Sequence, residues 1–284
     1  MNKNKLVSIC IPVFNGRSFI RESVESVLGQ TYPSLEVLIQ DNASTDGTWE
    51  VVCDLVKKDK RIFAERNLYN VGMAPNWNKV VSRASGDFVM LLSVDDSLLP
   101  NFIEKCLEIF SRDPLVDAVS SDHYVLENGC RRKRKVKIRE GVCHDFSDLI
   151  MLLNPFSINF SLFRKKTVEE LSKNGNFFNP DYFTCDYDLW YRLSENCKKI
   201  YYLNKPLGIY RVHGRNLSSN KRKMNRQAFL VLLSHRKHFN FSLRLLFKLT
   251  NIRFLIRVLI NYVRSGIMDK KFIKILVKEF FCRF

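Results

Sequence analysis

The run Phe88-Val89-Met90-Leu91-Leu92-Ser93-Val94-Asp95-Asp96 constrains this chain more than any other stretch, because an uncharged apolar series stops abruptly at two adjacent carboxylates. A strand with no polar face must be covered on both sides, the habit of parallel sheets in α/β proteins. In such sheets ligands gather beyond the carboxyl ends of the strands. Two neighbouring carboxylates repel each other, and a divalent cation bridging protein to a substrate phosphate relieves that repulsion, since hard cations prefer oxygen ligands. Taken alone, the pair also reads as a solvated Asp-Asp turn leading to the helix after Pro100.

The residues before this run alternate between two periodicities. Leu6 to Phe14 reads as a strand closed by the Asn15-Gly16 turn. A helix with apolar positions Phe19, Ile20, Val24, Val27 and Leu28 follows, with Ser18 as its expected N-cap. Leu35 to Gln40 is a second strand ending in a polar loop, Trp49 to Val56 a helix, Arg61 to Glu65 a strand, and Pro75 to Ala84 a helix with Pro75 in its first turn. Strand then helix, three times over, predicts βαβ units on a parallel sheet. Beyond the Asp pair, Phe102 to Phe110 reads as a helix and Asp117 to Ser121 as a strand. Asn128 to Arg139, with its basic run Arg131-Arg132-Lys133-Arg134-Lys135, reads as a solvated loop or hairpin ahead of an acceptor-phosphate site. Ile158 to Phe163 is strand-like, Thr167 to Glu170 fits a capping box, Asp186 to Leu193 begins a helix, and Lys199 to Leu203 and Leu207 to Val212 read as strands.

Charge separates the chain into two parts. Of 46 Lys and Arg and 29 Asp and Glu, the stretch from Leu217 to Phe284 holds 16 basic residues against 2 acidic ones. The organisation expected is therefore an α/β domain at 1–216 and a basic amphipathic helical extension at 217–284. Eight scattered cysteines with no metal-ligand spacing read as reduced thiols, and the amino terminus has no apolar signal core, so a cytoplasmic protein is expected.

Five segments together carry a resemblance. Val7 to Asn15, Gln40 to Thr48, Asn70-Val71-Gly72 with Asn76-Trp77-Asn78, Val94-Asp95-Asp96, and Asp186-Tyr187-Asp188-Leu189-Trp190 resemble, in order and spacing, the motifs of the family 2 inverting glycosyltransferases. The resemblance spans about Leu6 to His213. It implies the GT-A fold, a Rossmann-like mostly parallel sheet flanked by helices, with nucleotide-sugar and acceptor sites along one edge.

It also implies roles. Asp41 would meet the donor's base, Pro12 and Asn15 would pack on the nucleotide, Asn78 would stand near it, and Asp95 would approach the ribose. Asp96 would bind a divalent cation, Mg²⁺ or Mn²⁺, on the diphosphate, with His213 as a further ligand. Ser93 stands where many members have a third Asp, Trp77 where many have Arg, and Cys185 where many have Glu. Asp186 would be the general base, since a sugar hydroxyl attacks well only as its proton is removed; Asp188 reads as a helix N-terminal Asp favoured by the dipole. The expected reaction is in-line displacement with inversion, UDP being the expected nucleotide and a lipid-linked glycan the expected acceptor.

Three other functions compete. Net charge alone suggests nucleic-acid binding, but strand-end carboxylates would repel phosphate, so no nucleic acid is expected. Sugar nucleotidyl transfer normally opens with a glycine-rich phosphate loop, and the first turn here has only Gly16. A non-catalytic nucleotide-sugar-binding protein on the same fold is the remaining alternative. Arg and Lys interrupt every apolar stretch of the extension, which disfavours a membrane span and leads to an expectation of peripheral binding to an anionic surface at the inner face of the cell membrane.

Overall fold

The computed structural model describes residues 5–134, 138–143, 146, 150, 155–214 and 216–235. The chain divides into two units after Lys237, and everything described below lies in the first. Strand β1 (Val7–Val13) is buried at all seven positions and lies between β2 (Leu35–Asp41) and β4 (Phe88–Leu91), parallel to both. Strand β3 (Ile62–Arg66) extends the parallel set on the far side of β2. Helices α1 (Ile20–Leu28), α2 (Thr48–Lys58) and α3 (Met73–Ser82) are the connections that return the chain between these strands. The one hydroxyl inside β1, Ser8, is satisfied by donating to Glu36 at 2.6 Å and accepting from the Gly86 N–H at 2.8 Å. Gly86 is required there, since a Cβ would lie 2.6 Å from the Leu6 carbonyl oxygen.

The second half adds β5 (Ser97–Leu98), α4 (Phe102–Arg112), β6 (Ala118–Glu127), β7 (Cys130–Lys133), β8 (Gly141–Cys143), β9 (Ser161–Arg164), α5 (Lys165–Leu171), α6 (Cys185–Glu195), β10 (Ile200–Val212) and α7 (Lys221–His235). The sheet order is β3-β2-β1-β4-β9-β6-β10-β5, with β7 on β6 and β8 on β10. Strand β9 inserts antiparallel between β4 and β6, while β10 is parallel to β6, so β1, β2, β3, β4, β6 and β10 all run one way. Their carboxyl ends therefore share one edge. The core is built on Ile9, Ile11, Val24, Met90, Phe102, Phe160 and Leu162, none of them accessible to solvent; each such side chain contributes about 1.5–3 kcal/mol through burial.

Several local expectations are corrected. Helix α1 begins after Phe19, not after a Ser18 cap, and its first turn is set by Gly16, whose carbonyl accepts the Phe19 and Ile20 N–H groups at 2.9 and 3.0 Å. Thr167 lies inside α5, where its hydroxyl donates to Asp117 at 3.0 Å instead of capping. The two late strands are one, β10, bent by register shifts around Pro206, which has no N–H for the ladder. The Asn128 to Arg139 stretch turns at Asn128 and Gly129, both at positive φ, and returns as β7 against β6. The cysteines among the described residues are free thiols.

Helix α7 belongs to the first unit, beyond the expected boundary at 216, because it packs on α6. His235 bridges Asp188 at 3.1 Å and Glu195 at 2.5 Å, and its ring stacks on Tyr191. Most of the expected extension, 236–284, lies outside the described residues.

Candidate active site

A cleft of about 1180 Å³ opens where the parallel strands end. Strand β1 delivers Pro12 and Asn15 to it, β2 delivers Asn42, the turn after β4 delivers Ser93 and Asp95, and β6 delivers His123. Asp186 enters from the first turn of α6, and Tyr210 and His213 from the end of β10.

The β1 and β2 ends are tied together. Asn15, at φ +53, accepts the Thr45 N–H on its side-chain oxygen at 2.9 Å, while its own N–H donates to Ser44 Oγ at 2.9 Å. Asp41 has no exposed surface: it accepts from the Ser44 backbone at 3.2 Å, from the Ser44 hydroxyl, and from Arg66 Nε at 3.1 Å. It thus sits under the cleft floor and holds the loop, and the adjacent Asn42 is the residue that lines the cavity. A web of amides then fixes the 70–73 wall: Asn42 donates to Asn70 at 2.9 Å and to the Gly72 carbonyl at 3.1 Å, and Asn67 donates to Asn42 and Asn76 at 2.9 and 2.8 Å. Asn78 departs from expectation. Its amide bonds both the N–H and the carbonyl of Phe178, at 2.8 and 2.7 Å, and also Asn176. Anchoring that distant segment uses both ends of the side chain, and Asn78 is not among the cleft residues.

Structure and sequence expectation differ at the two adjacent aspartates. Asp96 is 1 % exposed, its oxygens taken by the Arg211 N–H at 2.9 Å and the Asn159 amide at 2.6 Å. Burial and the neighbouring Asp95 charge push its carboxyl well above the usual range. Asp95 instead faces the cleft, with one oxygen 3.1 Å from His213 Nε2 and accepting from Asn216 at 2.9 Å. The His213 ring stacks on Phe19 with centroids 4.8 Å apart. Ser93 bonds Asn159 at 2.9 Å, so Asn159 spans the turn where a third carboxylate would stand.

Among the described residues no three His, Cys, Asp or Glu side chains gather in a metal-binding group. The pair Asp95 and His213 nevertheless suits a divalent cation that completes its shell with substrate phosphate oxygens and water, as Mg²⁺ commonly does. These two residues would hold it, in place of the expected Asp96 and His213. When bound, such an ion neutralises charge on a departing diphosphate.

Asp186 is half-buried at the cleft wall, and burial raises its carboxyl to about 6, a value suited to a base that must hold a proton briefly near neutral pH. Asp188, one turn face away, is buried and paired with Arg192 at 2.7 Å and with His235. It lies in the first turn of α6, as expected of a helix N-terminal Asp, and is in addition part of a buried ion-pair network. Burial acts against its ionisation, but the bonds from His235 and Arg192 hold its carboxyl below the usual range.

The residues missed at the sequence level are Asn42, Asn67, Asn76, Asn159, Arg211 and Asn216. Each is an amide or guanidinium that fixes another residue, and no periodicity marks such a role. Asn42 and Asn76 fall inside segments that carry the resemblance, and Asn216 follows His213 by three residues in a polar turn.

Comparison with known proteins identifies the family and the fold. The family model described as glycosyl transferase family 2 matches residues 8–171. The chain belongs to glycosyl transferase family 2. It is accordingly a glycosyltransferase, and its family relatives include the putative teichuronic acid biosynthesis glycosyltransferase TuaG of Bacillus subtilis, 28% identical over 81% of this chain and 88% of that protein. Another is the UDP-Glc:alpha-D-GlcNAc-diphosphoundecaprenol beta-1,3-glucosyltransferase WfaP of Escherichia coli, 28% identical over 77% of this chain and 82% of that one. Among solved structures, S. aureus TarS 1-349 with UDP-GlcNAc shares the fold at TM-score 0.68 and 18% identity, covering 82% of this chain and 66% of that one. The mannosyltransferase PcManGT from Pyrobaculum calidifontis, with GDP-Man and Mn2+, does so at TM-score 0.59 and 17% identity, covering 81% and 62%. The chain thus spans about two thirds of those solved chains or less.

Proposed function

We propose that this family 2 enzyme moves a sugar from a nucleoside-diphosphate sugar, UDP being the favoured nucleotide, to a hydroxyl of a lipid-linked glycan with inversion at the anomeric carbon. One observation carries the reading: a raised carboxyl, Asp186, shares a single cleft with the Asp95 and His213 pair at the common edge of the parallel strands. In this reading the base of the donor lies toward Pro12, Asn15 and Asn42, with Asp41 acting through Ser44 and Arg66 beneath it. Asp186 accepts the acceptor's hydroxyl proton as the oxygen attacks. Asp95 and His213 would hold the cation beside the diphosphate, and most of the rate comes from fixed geometry and electrostatics. The names of WfaP and TarS, a glucosyltransferase on a diphosphoundecaprenol sugar and a protein crystallised with UDP-GlcNAc, favour a UDP donor and a lipid-linked acceptor.

The test is Asp186→Asn. Loss of general-base catalysis lowers turnover by about 10² to 10⁴, while calorimetric binding of the nucleoside diphosphate stays unchanged because the base acts on the acceptor. Comparable turnover in the variant would remove Asp186 from the mechanism.

A further inference from the structure

The basic run after Asn128 splits in the folded protein. Arg131 lies 3.8 Å over the Tyr124 ring and Arg132 pairs with Glu127 at 3.4 Å, so both belong to the hairpin's own surface. Arg134 instead lines the cleft, with Nη1 donating to the Pro155 carbonyl at 2.8 Å. It is the one Lys or Arg among the described residues that line the cavity, which otherwise presents Asp95 and Asp186.

His123 stands beside it. The Arg134 N–H donates to the His123 carbonyl at 3.3 Å, and the imidazole stacks on Phe160 at 4.7 Å. Space for Phe160 depends on Gly208, where a Cβ would fall 2.1 Å from that ring. His123 is 6 % exposed, lines the cleft, and has no hydrogen-bond partner at Nδ1 among the described residues. Burial, with the Arg134 charge, lowers its pKa to about 3, so the ring is neutral and offers one donor and one acceptor. Buried polar atoms are normally paired, so an unpaired one at a cleft wall calls for a ligand or a water. Asp122, next to it on β6, also leaves Oδ2 without a hydrogen-bond partner among the described residues, and burial raises its carboxyl. This end is continuous with the reacting centre: Tyr210, 5.9 Å from His123, lies within the fields of Asp95, Asp96 and Asp186.

We propose that Arg134, with His123 beside it, is a subsite for an anionic group carried by the acceptor, either a phosphate of a lipid diphosphate or the carboxylate of an acidic sugar. The inference rests on the glycosyltransferase reading of the cleft and adds the acceptor's charge. Asp95 and His213 would hold a cation that neutralises the donor diphosphate, so a separate guanidinium answers a second anion. Its planar fork suits a carboxylate or phosphate better than a hydroxyl.

The experiment uses the full chain, saturated with whichever of UDP, GDP or dTDP binds in the presence of Mg²⁺. Calorimetry then compares decyl diphosphate, decyl glucuronide and the neutral decyl glucoside. The wild type should bind one anionic probe at least about tenfold tighter than the glucoside, in line with a charge-assisted hydrogen bond. Arg134→Gln should erase that preference, Arg131→Gln should keep it, and Arg134→Lys should keep part of it. Which anionic probe wins assigns the source of the charge. Unchanged nucleotide binding shows that each variant is folded. Equal binding of all three probes by the wild type, or the same behaviour of the Arg134 and Arg131 variants, would overturn the subsite. Failure of the wild type to bind any of the three nucleotides would overturn the cleft reading itself, and this subsite with it.

Discussion

Asp186 is both the proposed base and a source of instability. Its folded pKa, about 6, lies above the ordinary 3.8, so the folded state holds the extra proton between those values, and stability falls as pH rises through 6. Turnover needs the ionised form, so kcat should drop about tenfold per pH unit below 6 and level off above it. The same sign predicts that Asp186→Asn, with its turnover lowered, is more stable than the wild type at pH 8 by about 1–3 kcal/mol once the wet cleft is allowed for. A variant both inactive and less stable would point to misfolding. The neighbouring pair predicts a division of effects. Asp95→Ala should abolish Mn²⁺ binding, read by electron paramagnetic resonance, with little change in unfolding. Asp96→Ala should instead lose about 1–3 kcal/mol in urea unfolding, because the Arg211 N–H and the Asn159 amide are left unpaired. The sequence marked this pair as a site but not which member faces it, since that depends on one turn's dihedrals. The same limit applies to Asn78, a recognisable motif residue whose amide is spent on Phe178.

Helix α6 carries Asp186 and is braced along its length. Arg192 bonds Asp188 at 2.7 Å and the carbonyls of Leu171 and Phe177 at 2.9 and 2.6 Å, while His235 of α7 lies between Asp188 and Glu195. Burial opposes the His235 charge, but the two carboxylates raise its pKa to about 9. Against an unfolded value near 6.5, this contribution is complete below pH 6.5 and is lost as pH rises through 9. Asp188, with its lowered pKa, acts in the opposite window and loses its share only in acid. His235→Ala takes one partner from the buried Asp188, which keeps Arg192, and one from the half-buried Glu195, and should cost about 1–3 kcal/mol at pH 7. Urea titrations at pH 7 and pH 10 check this: the wild type should weaken between them and the variant should not, and equal slopes would discount the bridge. The first four strands were legible because strand and helix periods alternate without interruption. Strand β9 was legible as a strand but not in its place, since antiparallel insertion between β4 and β6 leaves no local mark. The α6 to α7 brace was illegible because its partners are 40 residues or more apart.

At the scale of the whole molecule, the remaining question is what the basic carboxyl-terminal stretch does. Residues 238–284 hold ten Lys or Arg and two acidic residues, among Leu243, Leu246, Phe247, Phe254, Leu255, Val258, Leu259 and Tyr262. Among the described residues no helix is long and apolar enough to cross a membrane. Within the stretch itself, Arg or Lys recurs every few residues, and one at a bilayer centre is penalised by about 2.5–3.5 kcal/mol even on the lenient scale. Each Lys or Arg near an anionic leaflet contributes about 1 kcal/mol, so a few such contacts added to Phe and Leu burial suffice for binding. We therefore propose peripheral attachment to an anionic membrane, which would bring the cleft to a lipid-linked acceptor at the inner leaflet. The structure decides where to cut for the test. A truncation at 217 would strip α7 from α6 and unpair Asp188, confusing lost attachment with a damaged catalytic helix, whereas one after Lys237 keeps the brace. The full chain should sediment with vesicles containing phosphatidylglycerol, release in high salt, and ignore neutral vesicles. The chain ending at Lys237 should stay in the supernatant while still binding nucleotide. Equal partitioning of the two, or equal binding to neutral vesicles, would defeat the proposal.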